Sequence, residues 1–203
     1  MIELSRHRVL ERIHEGVNSD VFLAEEIATG RKCAVKVART GVHSARKIAM
    51  IKHEYALTRA LEIPGVVKPL ALEVRPGQAA LVMEYAGQSL AHVLRGAEPD
   101  VARALRIGIQ LAETLGAIHA ANVIHKDIKP ANVVLDLETS RVKITDFSIA
   151  TVLSGERAGV GDVRSLEGTL RYISPEQTGR MNRSIDHRAD RRARTSVGTT
   201  RSA

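Results

Sequence analysis

The chain has 203 residues, of which 44% are hydrophobic and 26% are charged, and its formal net charge is +7 at pH 7. This composition excludes a fibrous or wholly disordered chain, and the length suffices for one substantial domain or for two small lobes that share a cleft. The single cysteine, Cys33, excludes an internal disulfide, and no apolar run reaches membrane-spanning length. We therefore expect a globular protein of the cytoplasm.

The N-terminal part of the chain predicts mainly β-structure. Apolar and polar residues alternate in short runs, and turn residues such as Thr29-Gly30 and Pro76-Gly77 separate neighbouring runs. The expected strands cover residues 8–13, 21–26, 33–38, 66–74 and 79–85. One helix is expected between the third and fourth strands, over residues 44–61, because Ile63-Pro64-Gly65 ends its pattern.

A second and longer helix is expected over residues 99–121. Apolar residues recur in it at helical spacing, which predicts one buried stripe. The stripe comprises Leu105, Ile109, Ala112, Leu115 and Ile118. We expect this face to anchor the loop that follows the helix.

That loop carries the most informative residues of the chain. The sequence of residues 125–132 is His-Lys-Asp-Ile-Lys-Pro-Ala-Asn. Phosphoryl transfer requires an oriented hydroxyl, neutralised phosphate charge and a bound Mg²⁺. Asp127 is a candidate proton acceptor, Lys129 a candidate phosphate partner, and Asn132 a candidate oxygen ligand of a hard cation. The alternative interpretation is a solvated polar turn that contains a proline.

This string resembles the catalytic loop of the protein-kinase superfamily, H-R-D-x-x-x-x-N, with Lys126 in place of the arginine. The segment 144–148, Ile-Thr-Asp-Phe-Ser, resembles the D-F-G metal site, with Ser148 in place of the glycine. The resemblance implies that Asp146 bridges Mg²⁺ to the phosphates of ATP, and that Asn132 is the second metal ligand.

Two residues of the N-terminal part match the family's phosphate-binding pair. Lys36 lies in Ala34-Val35-Lys36, and Glu54 follows eighteen residues later in the expected helix. The resemblance implies that Lys36 contacts the α- and β-phosphates and pairs with Glu54. Taken singly, Lys36 fits a solvent-facing strand lysine, and Glu54 fits a surface carboxylate.

The remaining nucleotide contacts are also implied by the resemblance. The segment 13–21 corresponds to the phosphate-covering loop. Of the three glycines expected in that loop, Gly16 alone is present. An ordinary hairpin is the alternative interpretation. The segment 81–87 corresponds to the strand and hinge beside adenine, and an edge strand is the alternative. The implied ATP-contacting residues are Ile13, Gly16, Val21, Ala34, Lys36, Met83, Glu84, Ala86, Val134 and Asp146.

The segment 168–176 resembles the end of an activation segment, with Ser174-Pro175-Glu176 in place of A-P-E. Thr169 would then face Asp127 and Lys129. Small-molecule phosphotransferases that share the catalytic loop generally lack this block, so the resemblance implies a protein substrate with a serine or threonine acceptor. The continuation is similar to bacterial serine/threonine kinase domains that begin large multi-domain sensor kinases, so further sensor domains are expected in full-length relatives.

The resemblance implies an α+β, protein-kinase-like two-lobe fold. A five-stranded antiparallel small lobe with one helix and the hinge would occupy residues 8–86, and an incomplete, mainly helical large lobe would occupy residues 87–190. Arginine-rich sequence follows Asp190, so residues 191–203 are expected to form a basic, disordered tail, and we interpret the chain as a truncated or frame-disrupted product. Because the missing helices would cover the helix at 99–121, an exposed apolar face is expected there.

Three functions follow from these patterns. The first is an ATP- and Mg²⁺-dependent serine/threonine protein kinase. The second is a non-catalytic ATP-binding pseudokinase or interaction module, which the incomplete lobe and the loop with one glycine favour. The third, a nucleic-acid-binding protein, rests on the seven arginines of residues 180–203 alone, and these lack interleaved aromatic residues. We rank it last and expect no nucleic-acid partner.

Overall fold

The computed structural model describes residues 4–41, 43–95, 98, 100–153 and 186–190. The chain forms two compact units. Unit 1 consists of Met1–Glu62 and Val67–Ala86, and unit 2 consists of Ile63–Val66 and Gly87–Ala203. Within the described residues, no helix is both long and apolar enough to cross a membrane.

Unit 1 contains a five-stranded antiparallel sheet in the order β1-β2-β3-β5-β4. The strands are β1 (His7–Glu15), β2 (Ser19–Glu26), β3 (Lys32–Ala38), β4 (Pro69–Arg75) and β5 (Gln78–Glu84). Gly30 and Gly77 have φ angles of 71° and 73°, which suit the tight turns between β2 and β3 and between β4 and β5. The expected five-stranded antiparallel lobe is thereby confirmed, with the fourth strand beginning three residues later than predicted.

The two faces of the central strand β3 are both covered. On one face, Val35 packs into an apolar cluster with Cys33 and Val37 of β3, Ala24 of β2, and Ala80 and Val82 of β5. Helix α1 (Ser44–Ala60) packs against β3, β4 and β5. Because Lys36 bonds to Glu54 of α1, the helix covers the opposite face from Val35.

Among its described residues, unit 2 contains one long helix, shorter elements and two small sheets. The helices are α2 (Leu90–Val93), α3 (Val101–Ala120) and a 3₁₀ turn (Pro130–Asn132). The strands are β6 (Gln88–Ser89), β7 (Val123–Ile124), β8 (Val133–Leu135), β9 (Val142–Ile144) and β10 (Thr151–Val152). One sheet has the order β6-β8-β9, and the other pairs β10 with β7. Asp100 begins α3 by accepting a hydrogen bond from the amide of Arg103 at 2.9 Å.

The buried face of α3 differs from the prediction in its first half. Leu115 and Ile118 are buried as predicted, whereas Leu105, Ile109 and Ala112 are exposed. Instead, Ile107 and Leu111 pack against a cluster formed by Leu90, Val133, Leu135 and Val142. The helix carries two apolar stripes, and contact with β8 and β9 selects one of them, a choice that helical spacing alone does not make.

The other stripe of α3 lies on the surface. Val101, Leu105 and Ile109 have 72%, 62% and 58% of their areas exposed. The expectation of an exposed apolar face on this helix is therefore confirmed for its first three turns.

Candidate active site

The loop between β7 and β8 gathers the polar residues of the predicted site. Pro130 stands at the start of the 3₁₀ turn, where its missing N–H costs no hydrogen bond. The turn closes when the amide of Asn132 donates to the carbonyl of Lys129 at 2.9 Å. This tight turn returns the chain to β8 and brings Asn132 beside Asp127.

Asp127 is the centre of a compact network. The Nζ atom of Lys129 lies 2.6 Å from its Oδ2 atom. The side-chain amide of Asn132 donates to the same Oδ2 and to the backbone carbonyl of Asp127, both at 2.9 Å. The structure thus brings together three of the predicted site residues and fixes the orientation of the Asp127 carboxylate.

Asp190 anchors this loop from a distant part of the sequence. Its Oδ2 accepts the amide of His125 at 2.9 Å, and its Oδ1 accepts the amide of Lys126 at 2.7 Å. The ring Nε2 of His119 lies 3.0 Å from Oδ2. Lys126 has a φ of 69°, a conformation that costs a residue with a side chain about 1–2 kcal/mol. The two amide bonds to Asp190 offset that cost.

The charge of Asp190 is stabilised although the side chain is buried. Burial alone would raise the pKa of Asp190, but the hydrogen bonds from His119 and from the amides of His125 and Lys126 together lower that pKa below its ordinary value. In the sequence, Asp190 marks the end of the resemblance to the family, and no role is predicted for it. The contact joins residues about 65 positions apart, so no local pattern signals it.

The side chain of His125 is fully buried. Its neutral imidazole ring holds the loop through two hydrogen bonds. Its Nδ1 accepts the amide of Asp127 at 3.2 Å, so its Nε2 carries the proton and donates to the carbonyl of Thr145 at 3.1 Å. Burial lowers the pKa of His125. Its ring also packs edge-on against Phe147, with centroids 4.6 Å apart. His125 therefore ties the loop of Asp127 to the segment that bears Asp146.

The predicted metal ligand Asp146 lies in this second segment. Its φ is 68°, and Phe147 beside it is fully buried. The hydroxyl of Ser148 donates to Oδ1 of Asp146 at 2.7 Å. The chain then turns, with the amide of Ala150 donating to the carbonyl of Phe147 at 3.1 Å. The serine that replaces the expected glycine thus contacts the candidate metal ligand directly.

The donor chemistry of Asn132 and Asp146 fits Mg²⁺. The amide nitrogen of Asn132 is used by Asp127, so its carbonyl oxygen is the atom suited to a cation. One amide oxygen and one carboxylate are hard ligands, and Mg²⁺ commonly takes few protein ligands together with phosphate oxygens and water. Among the described residues, no group of three or more His, Cys, Asp or Glu side chains could hold a metal by itself.

Lys36 and Glu54 form a buried ion pair within unit 1. Their Nζ and Oε2 atoms are 2.5 Å apart, and the side chains are 6% and 2% exposed. The expected pairing is present, and neither residue is the surface group of the alternative interpretation. Removing one partner of such a pair leaves an uncompensated buried charge at a cost of about 3–5 kcal/mol.

The other predicted nucleotide-contacting residues of unit 1 lie on its strands and turns. Ala34 and Met83 are buried and face each other across β3 and β5, while Ile13 and Gly16 lie at the β1–β2 hairpin. The amide of Glu84 donates to the carbonyl of Lys68 at 3.0 Å. The remaining predicted ATP-contacting residues are partly buried, namely Val21 and Ala86 in unit 1 and Val134 in unit 2.

The predicted activation segment lies outside the described residues. Thr169 and Ser174-Pro175-Glu176 belong to the undescribed range 154–185, and the basic tail at 191–203 is likewise outside.

Comparisons with known proteins identify the family. The sequence model described as "Protein kinase domain" matches residues 7–191. The chain is similar to serine/threonine-protein kinase pkn2 of Myxococcus xanthus, with 36% identity over 190 residues that cover 91% of this chain and 23% of the relative. It is also similar to serine/threonine-protein kinase PrkC of Bacillus subtilis, with 31% identity over 175 residues that cover 85% of this chain and 26% of the relative.

A plant relative shows the same pattern. The putative CBL-interacting protein kinase 13 of Oryza sativa subsp. japonica is 32% identical over 180 residues, covering 87% of this chain and 35% of the relative. The chain thus spans between about a quarter and a third of the length of these relatives. It belongs to the protein kinase domain family.

Proposed function

We propose that this protein kinase domain binds Mg-ATP and transfers the γ-phosphate to serine and threonine hydroxyls of a protein substrate. The observation that carries the proposal is the environment of Asp127, whose Oδ2 meets both Lys129 at 2.6 Å and Asn132 at 2.9 Å. A solvated polar turn has no need of such an arrangement, nor of the buried Asp190 that holds the loop backbone.

In this proposal Asp127 orients the acceptor hydroxyl and takes its proton on a carboxylate oxygen. A base that is already fixed in direction loses little entropy when the hydroxyl arrives, and this is how positioning lowers the barrier. Lys129, which now neutralises Asp127, would share its charge with the transferring phosphate. Asn132 and Asp146 would hold Mg²⁺, which when bound neutralises charge on the phosphate oxygens.

In unit 1, Lys36 would contact the α- and β-phosphates, and Glu54 would keep its ammonium group in place. The burial of both side chains supports this role, since a charge kept out of water acts strongly on a nearby phosphate. The adenine contacts follow the resemblance, with Ala34 and Met83 as apolar neighbours of the base. Thr169 remains the proposed partner of Asp127 and Lys129 from the activation segment.

The proposal extends to the organisation and setting of the chain. Residues 8–86 would act as the small lobe with the hinge, residues 87–190 as a partial large lobe, and residues 191–203 as a basic tail. The substrate would be a protein of the cytoplasm, and full-length relatives would carry further sensor domains. The relatives named serine/threonine kinases support the choice of acceptor.

The experiment is transfer from γ-labelled ATP to a panel of proteins, followed by identification of the labelled amino acids. The proposal predicts acid-stable phosphoserine or phosphothreonine that depends on Mg²⁺. Label that appears in tyrosine alone, or in a small molecule alone, would contradict the assigned acceptor.

A second candidate is a non-catalytic ATP-binding module. The feature that favours it is the phosphate loop, in which His14 and Ser19 stand in two of the three glycine positions. Thermal melting with and without Mg-ATP separates the two when combined with the transfer assay. Stabilisation that grows with ATP concentration and is lost in Lys36→Met, without any transfer, would support the second candidate against the first.

A further inference from the structure

Arg39, which follows β3, holds the loop between β1 and β2. Its backbone amide donates to the carbonyl of Asn18 at 3.0 Å. Its Nη1 atom donates to the carbonyl of Gly16 at 3.0 Å and to Oε1 of Glu15 at 3.3 Å. Arg39 thus contacts three residues of this hairpin, Asn18 through its main chain and Glu15 and Gly16 through its side chain.

The guanidinium group also faces a fourth acceptor on the far side of the loop. Its Nε lies 3.6 Å from Oδ2 of Asp20, the second residue of β2. Asp20 is mostly buried, and its Oδ1 has no hydrogen-bond partner in the described structure. Arg39 therefore links a carboxylate on the strand entering the loop, Glu15, to one on the strand leaving it.

The contact with Gly16 fixes the direction of one peptide group. A trans peptide is planar, so its carbonyl and its N–H point in opposite directions. Because the Gly16 carbonyl faces Arg39, the N–H of Val17 is directed away from Arg39. Backbone N–H groups presented in this way are suitable partners of a phosphate.

The loop needs such a support because it has one glycine. A Cβ atom at Gly16 would lie 2.7 Å from the carbonyl oxygen of Ser19, so the tight turn requires glycine there. Loops with several glycines reach close backbone approach through conformational freedom. His14 and Ser19 lack that freedom, and a charged side chain that binds the loop from outside can supply the order instead.

We propose that Arg39 is a positioning residue that holds the β1–β2 loop in the conformation that binds the phosphates of ATP. This inference rests on the proposed function, since it assumes that ATP is the nucleotide of unit 1. The positioning acts through the backbone of residues 16–18 and not through direct contact with the nucleotide.

The test compares Arg39→Gln with the matched control Arg31→Gln. Arg31 lies before the other end of β3 and forms a 3.6 Å ion pair with Glu26, with its side chain 63% exposed. Both variants remove one arginine that flanks β3, with side chains that are 40% exposed for Arg39 and 63% exposed for Arg31. Only Arg39 contacts the loop.

Three quantities are measured on each variant of the whole chain: the dissociation constant of Mg-ATP, the dissociation constant of adenosine, and the rate of hydrogen exchange of the amides of residues 14–20. We expect Arg39→Gln to weaken Mg-ATP binding about tenfold, the effect of losing one or two charge-assisted hydrogen bonds, and to speed amide exchange in the loop. Adenosine binding should change little, because adenosine has no phosphate. Arg31→Gln should resemble the wild type in all three measurements.

Equal weakening for ATP and adenosine would overturn the proposal, since a general structural defect affects both ligands. Unchanged ATP affinity with faster loop exchange would also overturn it, because the loop order would then have no role in phosphate binding. Failure of the wild-type chain to bind Mg-ATP contradicts the proposed function itself. In that case unchanged loop exchange in Arg39→Gln would separately show that Arg39 does not hold the loop.

Discussion

Single residues show how a strained loop is kept in place. Lys126 adopts a positive φ, and its amide is one of two that bind the carboxylate of Asp190. These amides come from neighbouring residues, so one carboxylate holds the backbone immediately before Asp127. The position of the candidate base thus depends on a residue that takes no part in the chemistry.

Replacement of Asp190 by asparagine tests this dependence. The variant keeps the size of the side chain but loses the charge and turns one acceptor into a donor facing a backbone N–H. We expect the free energy of unfolding to fall by about 2–4 kcal/mol, as for the loss of a buried hydrogen-bonded charge. Chemical denaturation measures the change, and Asp186→Asn, at a partly exposed neighbouring position, serves as the control.

A second prediction concerns the buried His125. Burial lowers its pKa, so the unfolded chain binds a proton on this residue more readily than the folded chain. The folded state should therefore lose stability as the pH falls below the unfolded value of about 6.5, by at most about 1.4 kcal/mol for each pH unit.

The measurement is the free energy of unfolding between pH 7.5 and pH 5 for the wild type and for His125→Phe. The variant loses two hydrogen bonds and is expected to be less stable at pH 7.5. Its stability should nevertheless fall less steeply toward pH 5. Identical slopes in the two proteins would mean that His125 does not set this part of the pH dependence.

At the scale of elements, local patterns predicted the sheet and failed on one helix face. Each strand of unit 1 carries its own alternation and turn signals, so the positions of the strands could be predicted from short segments, while their antiparallel arrangement followed from the family resemblance. Helix α3 carries two apolar stripes, and only packing against β8 and β9 decides which of them is buried. The catalytic string could likewise be recognised from adjacent residues. Asp190 and Arg39, in contrast, act through contacts with residues far away in the sequence.

The corrected orientation of α3 is tested by two substitutions of the same type. Leu115 is 2% exposed and Leu105 is 62% exposed, and both belong to the stripe expected from the sequence. Leu115→Ala should cost about 2–5 kcal/mol, the usual range for a cavity in a core, while Leu105→Ala should change stability by less than about 0.5 kcal/mol. Equal costs in denaturant unfolding would contradict the observed burial.

At the scale of the whole molecule, the site residues predicted from the kinase family are distributed over the two units. Unit 1 contains the buried pair of Lys36 and Glu54, and unit 2 contains Asp127, Asn132 and Asp146. Each set is ordered within its own unit by contacts of 2.5–2.9 Å. The proposed kinase reaction would require both sets, and therefore residues of both units.

The rate of phosphate transfer from Mg-ATP to protein, compared between the wild type and Asp127→Asn, tests the central claim most directly. Asparagine keeps the shape of the side chain but is a poor proton acceptor. The account predicts a rate about 10²–10⁴-fold lower, with a melting temperature and an ATP affinity close to those of the wild type. Equal transfer by the two proteins would contradict the assignment of Asp127 as the base.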